Sequence, residues 1–440
     1  MVATTTNGTA KKLTTRQAAF IGVGAMVGAG IFSLLGAAGE VAGAAVWISF
    51  LLAGVVAGLQ GYSFAKFGTR YPSAGGLLEY VLRGYGDGHV AGVVAWLVLA
   101  ANAIVTGMVA VSFGSYASTA VADGNEDWAT AFAVLVVVVM ALVNILGSQA
   151  VAKAQTVIVF VVTGILTLFA VTTLANIDLD LLAFSGYPSV SDIVASVALT
   201  FFAFLGFGVV TFTAKDLADP SRQLPRAIYL ALGIATTIYI AVALGVFGTL
   251  TVAEVIESGG TAIAVAAEPT LGRAGYWLMI VTALFATSGA TNAGLYPAPG
   301  LCEEMATQGQ FPPLLGRRFA DRAPAGLLLT AIIAVALAVG FDLSSIASIG
   351  SAIALLVFTM VSVGHLRVRD ETGASLAMLV LAILSTVVVL LAFTFTTLVD
   401  EPATAVTLVA ILVVSIGIDL LWKRKRDAER QRDSAVEGAT

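Results

Sequence analysis

Long apolar runs, separated by short polar or charged stretches, set the pattern of this chain. A helix needs about 20 apolar residues to cross the roughly 30 Å hydrocarbon core of a bilayer. By that ruler the pattern predicts twelve helices, near 17–38, 41–66, 88–118, 128–147, 152–175, 190–213, 226–249, 273–296, 325–341, 343–363, 374–396 and 402–422. Runs such as 133–143 do not alternate between apolar and polar positions, which excludes membrane-spanning strands. The expected fold class is an all-α polytopic membrane protein.

Two of these segments carry glycines near mid-span. The first contains Gly22, Gly24, Gly28 and Gly30, and the sixth contains Gly206 and Gly208. Glycine costs a helix about 1 kcal/mol relative to alanine and frees the backbone to leave helical geometry. Glycine-interrupted spans at corresponding places in two halves of a chain mark a transporter with internal repeats. Five helices separate equivalent positions, so the two units enter the membrane from opposite sides. The expected organisation is an N-terminal segment 1–16, a first repeat 17–189, a second repeat 190–363, two further helices within 364–422 and a tail 423–440.

Composition agrees: 58% of residues are hydrophobic and 11% charged, against about 25% charged in a soluble domain. Charge placement then gives orientation. With the N-terminus in the cytoplasm, 21 of the 22 Lys and Arg residues fall inside and Arg273 alone falls outside. The outer loops carry Asp123, Glu126, Asp127, Asp178, Asp180, Glu254, Glu257, Asp400 and Glu401. That asymmetry follows the positive-inside rule and predicts a cell-membrane protein with both termini cytoplasmic. Residues 1–16 lack the apolar core of a signal peptide, so the first span is expected to be retained, with the Asn7 glycosylation pattern cytoplasmic and unmodified. Lys423-Arg-Lys-Arg426 reads as a stop-transfer signal, with attraction of anionic lipid as the less favoured reading, and 427–440 is expected to be disordered. Cys302 is the single cysteine, which excludes an internal disulfide or a cysteine-based metal cage. His89 and His365 read as interfacial.

A helix broken in lipid frees backbone N–H and C=O groups, tolerated where they line a cavity or are buried in protein. Half-helix N-termini suit a carboxylate and freed carbonyls suit an ammonium. Paired breaks at Gly28, Gly30, Gly206 and Gly208 therefore match the zwitterionic backbone of an amino acid. The competing reading is close helix packing, which fits Gly24 with Gly28 and is favoured for Gly54 with Gly58. Almost no ionisable residue is legible at membrane depth: Glu79 reads as the start of the third span and Glu40 as lying just past the first. Polar candidates are Asn102 on the third span and Thr287-Ser288 on the eighth. Those two hydroxyls, with carbonyls near Ala25 and Gly28, offer oxygen ligands for a coupling sodium ion, although hydroxyls are also common glue between membrane helices.

Residues 24–32 resemble the first-helix signature of the amino acid–polyamine–organocation permeases. Phe201-Phe-Ala-Phe-Leu-Gly-Phe207, continued through Asp216, Asp219-Pro220, Arg222 and Pro225-Arg226, is similar to that family's sixth helix and following loop. Tyr71-Pro-Ser-Ala-Gly-Gly76 resembles its first cytoplasmic loop, and Ala290 to Asn292 with Met305 and Gln310-Phe-Pro312 is a looser likeness. The resemblance covers roughly 15–365. It implies the fold of the sodium-coupled leucine transporters and alternating access. It also implies a substrate carboxylate held by amides of Gly28, Ala29 and Gly30, flanked by Val27 and Ile31, with Phe207 as a thin gate and Phe204 nearby. The chain departs from the family at Gly208 and at Lys215-Asp216, where members often carry acids. It also has Val161-Val162-Thr163 where many proton-coupled members carry a lysine, and Lys153 lies too near the cytoplasmic end to replace it.

The expected function is permeation of small or apolar neutral amino acids coupled to Na+ or H+. The alternatives are an amine, polyamine or inorganic cation carrier of the same fold, or an amino acid exchanger. No residue cluster suits a membrane-embedded enzyme and no phosphate-binding loop suggests ATP-driven pumping. Expected partners are the substrate and the bilayer, without nucleic acid, and the protein as a monomer or homodimer.

Overall fold

The computed structural model describes residues 12–73, 76–146, 149–319, 322–399 and 402–437. Asn7 and Lys11, Ala74 and Gly75, and Asp400 and Glu401 lie outside the described residues. In chain order the helices are α1 (Thr15–Ala29), α2 (Ile31–Ala42), α3 (Val46–Arg70), α4 (Leu77–Tyr85), α5 (His89–Val121), α6 (Glu126–Leu146), α7 (Gln149–Ala175), α8 (Val190–Phe202) and α9 (Val209–Phe212). They continue as α10 (Pro220–Phe247), α11 (Val252–Ser258), α12 (Ala262–Leu295), α13 (Pro297–Thr307), α14 (Ala325–Gly340), α15 (Leu343–Arg367), α16 (Arg369–Thr372), α17 (Leu376–Phe393) and α18 (Pro402–Glu437). A two-stranded hairpin, β1 (Arg318–Phe319) with β2 (Ala323–Pro324), precedes α14.

The chain is an all-α polytopic membrane protein. Among the described residues nine helical stretches are long and apolar enough to cross a bilayer, or ten with the bent pair Val190–Phe202 and Leu205–Phe212 counted as one span. One of the nine, Ile31–Arg70, joins α2 to α3, and Ala325–Gly340 is a shorter apolar helix. The predicted segments all overlay helices, while the number of full crossings by length and composition is lower than twelve for these reasons.

Local chemistry explains the helix starts. Thr14 and Gln17 form a capping box on α1, Ser189 accepts from the Asp192 amide at 3.2 Å, and Asp342 accepts from the Ser345 amide at 2.9 Å. Such caps satisfy N–H groups that a helix start leaves orphaned. Pro220 opens α10, six residues earlier than the apolar pattern indicated, because a first-turn proline loses no helical bond. α12 runs through Gly272, whose φ of 65° lets the chain kink where the sequence suggested a start. Glu79 sits on the separate helix α4 rather than on α5, since Gly86 at φ 72° ends α4 before the next apolar run. The α18 helix continues to Glu437 instead of becoming disordered after 426; no glycine or proline intervenes, and Lys425 and Glu429 pair across one turn at 3.9 Å. His365 is fully buried rather than interfacial, because Ser63 and Thr372 supply both ring nitrogens with partners at 2.8 Å.

Candidate functional site

The two glycine interruptions meet. In the first span only Gly30 leaves the helical run, and its amide still donates to Met26 O at 2.9 Å. The sixth span is more disturbed: Ala203 and Phe204 link α8 to a 3-10 turn at Leu205–Gly208, and the axis bends by 43°. A Cβ built on Gly30 would lie 2.3 Å from Ala203 Cβ, and one on Gly206 would lie 2.5 Å from the Ala25 carbonyl carbon and the Met26 nitrogen. Glycine is required at both positions because two backbones touch there. Bending the sixth span frees the Ala203 carbonyl, and buried Tyr239 on α10 donates its hydroxyl to it at 3.0 Å. An unpaired carbonyl at this depth costs several kcal/mol, so Tyr239 holds the break open at little cost. No pattern in the sequence singled this residue out.

The start of α1 and the segment after α9 are also joined. The Leu13 amide donates to Asp216 O at 2.8 Å, and Lys12 Nζ donates to Lys215 O at 2.9 Å. α1 therefore starts where the segment after α9 ends, so the two broken spans are linked there as well as at their glycine contacts.

Beside the 3-10 turn lies a cavity of about 70 Å³ between α5, α15, α4 and the part of the sixth span from Leu205 to Phe212. Its walls are apolar, including Leu205, Val209, Phe212, Val357 and Phe358, and among the described residues Asn102 is the one polar side chain lining it. Gly208 also lines it, and a Cβ there would meet nothing within 4 Å. Phe207 is fully buried below, with its ring centroid 5.6 Å from Phe358 and 5.3 Å from Phe64. This aromatic layer continues through Phe67, stacked on Tyr80 at 4.8 Å.

Of the expected site residues, Asn102 and Gly208 thus reach the cavity and Phe207 packs against its wall residue Phe358. Phe204 is buried against Tyr239, ring centroids 5.1 Å apart, and Ile31 is buried in the core. Val27 and Gly28 border a different void of about 10 Å³ with Ile158, Val159, Val162 and Ala286, roughly the room one water needs. A Cβ on Gly28 would lie 2.2 Å from Ala286 O, so this glycine brings α1 against α12. Ala29 lies on α1, but its side chain is outside the described residues. Thr287 donates to Ala283 O at 2.6 Å and Ser288 to Phe285 O at 3.0 Å, and Ala25 packs under Gly206.

One buried acid escaped the sequence reading. Asp419 on α18 is fully buried, with Nζ of buried Lys423 3.2 Å from Oδ1 and Nδ1 of His89 2.7 Å from Oδ2. A Cβ on Gly92 would lie 1.9 Å from that Oδ1. Its place inside the last apolar run was the available signal.

A model of the amino acid permease family matches residues 13–418. The chain is 30% identical over 408 residues to the inner membrane transport protein YbaT of Escherichia coli, covering 92% of this chain and 95% of that one. It is 29% identical to the vacuolar cationic amino acid transporter 2 of Arabidopsis thaliana, over 82% of this chain and 60% of the relative. The methylthioribose transporter of Bacillus subtilis is 25% identical over 82% of each chain.

Proposed function

Because the chain belongs to the amino acid permease family, and is therefore a membrane transporter rather than an enzyme, we propose that it carries small or apolar neutral amino acids by alternating access. The observation that supports this most is the cavity at the sixth-span break, apolar apart from Asn102 and extended by the missing side chain of Gly208. An apolar substrate side chain gains by leaving water for such walls, whereas a cationic one would be desolvated without a carboxylate to meet it. The zwitterionic end belongs toward Gly28, Ala29 and Gly30, of which Gly30 touches the sixth-span break and Gly28 faces α12. In the state described the Gly30 amide is engaged with Met26; binding the carboxylate requires that bond to open as the inner halves of the two spans move together.

The same reading takes the two five-helix units as inverted repeats, twelve spans in all, with both termini cytoplasmic in the cell membrane. It takes uptake as coupled to Na+ or H+. A sodium ion at Ala25, Gly28, Thr287 and Ser288 would require the two hydroxyls to turn from their own helix toward the void beside Gly28. Uptake of labelled leucine, alanine and lysine into proteoliposomes, with sodium and proton gradients removed in turn, tests both parts. The reading requires accumulation of the neutral substrates over lysine and loss of accumulation with one of the gradients. Lysine uptake exceeding leucine would refute the substrate class, and accumulation without either gradient would refute the coupling.

A further inference from the structure

The membrane end of α14 carries a feature that transport does not use. Its 16 residues span about 24 Å at 1.5 Å per residue, less than the roughly 30 Å hydrocarbon core. At one end α14 is followed by Phe341 and the Asp342 cap of α15, leaving little chain to adjust. At the other end the β1–β2 hairpin is fastened directly to the helix, for the Ala325 amide donates to Arg317 O at 3.0 Å. Crossing the bilayer, a helix this short would hold the hairpin at the level of the lipid headgroups. α14 also leaves apolar side chains uncovered along its length, with Ile332 66% and Val339 60% exposed.

The hairpin is built for that depth. Arg317, Arg318 and Arg322 are all exposed, and none forms an ion pair with an acid among the described residues. Segment 317–322 holds these three arginines and one acid, Asp321, which lies outside the described residues; its net charge is +2. Phe319 and, just before the hairpin, Leu314 are exposed apolar side chains at 47% and 53%. Arginine forks suit phosphate oxygens, and aromatic side chains anchor at the interface.

We propose that the β1–β2 hairpin is a binding site for anionic phospholipid headgroups, with Arg317, Arg318 and Arg322 on the phosphate and Phe319 set among the acyl chain ends. The site requires only that α14 crosses the bilayer; the orientation above assigns it to the cytoplasmic leaflet. It is independent of what the permease carries.

The test offers full-length protein in neutral detergent equal amounts of phosphatidylglycerol and phosphatidylcholine, with retained lipid counted by native mass spectrometry. Each basic residue near a charged membrane surface is worth about fivefold in affinity, so the wild type should prefer phosphatidylglycerol strongly. Arg318→Gln should lose about fivefold of that preference and the triple Arg317→Gln/Arg318→Gln/Arg322→Gln about a hundredfold. The triple lysine variant keeps the charge and should retain most of it, as should Arg424→Gln on α18. Equal retention of the two lipids by the wild type would overturn the site, and so would an unchanged preference in Arg318→Gln. Displacement of the lipid by millimolar inorganic phosphate would overturn its assignment to a membrane lipid.

Discussion

Adding one methyl group at Gly30 and one at Gly208 should have opposite consequences. In Gly30→Ala the new carbon would sit 2.3 Å from Ala203 Cβ, 2.7 Å from Ala203 Cα and 2.9 Å from the Tyr239 hydroxyl, where ordinary contact begins at 3.4 Å. The two broken spans must part by about 1 Å, and overpacking of this kind costs about 1–3 kcal/mol. Parting them also stretches the Tyr239 bond to Ala203 O, worth about 1 kcal/mol. Gly208 is different: its φ of -58° and ψ of -30° are helical, and its Cβ position is open. Gly208→Ala should therefore stabilise by about 0.4–1 kcal/mol through the unfolded chain, while taking a methyl's volume from the cavity. Thermal unfolding in detergent and uptake by proteoliposomes, measured on both variants, separate the two. Gly30→Ala should melt earlier and transport poorly. Gly208→Ala should melt at or above the wild type and shift preference toward smaller substrates. The reasoning fails if Gly30→Ala matches the wild type in both assays, or if Gly208→Ala is the less stable of the pair.

Other positions give independent checks. Asn102→Leu removes the polar side chain of the cavity and should raise KM about two- to tenfold, the worth of one hydrogen bond, without lowering the melting temperature. Tyr239→Phe orphans the Ala203 carbonyl and should cost about 1–3 kcal/mol, read as earlier thermal unfolding and slower uptake. Asp419→Ala leaves the Lys423 ammonium buried without its carboxylate and should destabilise by about 3–5 kcal/mol, whereas exposed Arg424→Gln should be neutral in the same denaturation assay. Burial raises the Asp342 carboxyl, but bonds from Ser345 outweigh that and hold it below its ordinary value. Its stabilising effect is thus full above the unfolded pKa and is lost as pH falls through the lower folded one. Asp342→Ala should cost about 1 kcal/mol at neutral pH, and its gap from the wild type should close in acid; a constant gap would refute the capping role.

The helical frame was legible because membrane helices are written in run length and charge placement, which need no tertiary information. What shifted lay where a local device overrides the run: Pro220 extending α10, Gly272 kinking α12 and Gly86 cutting α4 from α5. The glycine pattern pointed to the first and sixth spans, but not to what each glycine faces. Gly28 abuts Ala286, Gly30 and Gly206 abut the opposite break, and Gly208 faces open space. Four glycines of one composition thus do three jobs, which only packing separates. Tyr239, the aromatic layer around Phe64 and the Asp419–His89 pair depend on contacts between residues far apart in sequence, and no periodicity reports those. His365 was misplaced for the same reason, its partners lying on α3 and α16.

The central claim is that the cavity at the sixth-span break receives the substrate side chain. Its most direct test is counterflow of labelled leucine in proteoliposomes containing Gly208→Leu, which fills the cavity from a position where a Cβ meets nothing. The account predicts folded protein that no longer exchanges leucine yet still exchanges alanine at a measurable rate. Leucine exchange at the wild-type rate by folded Gly208→Leu would contradict it.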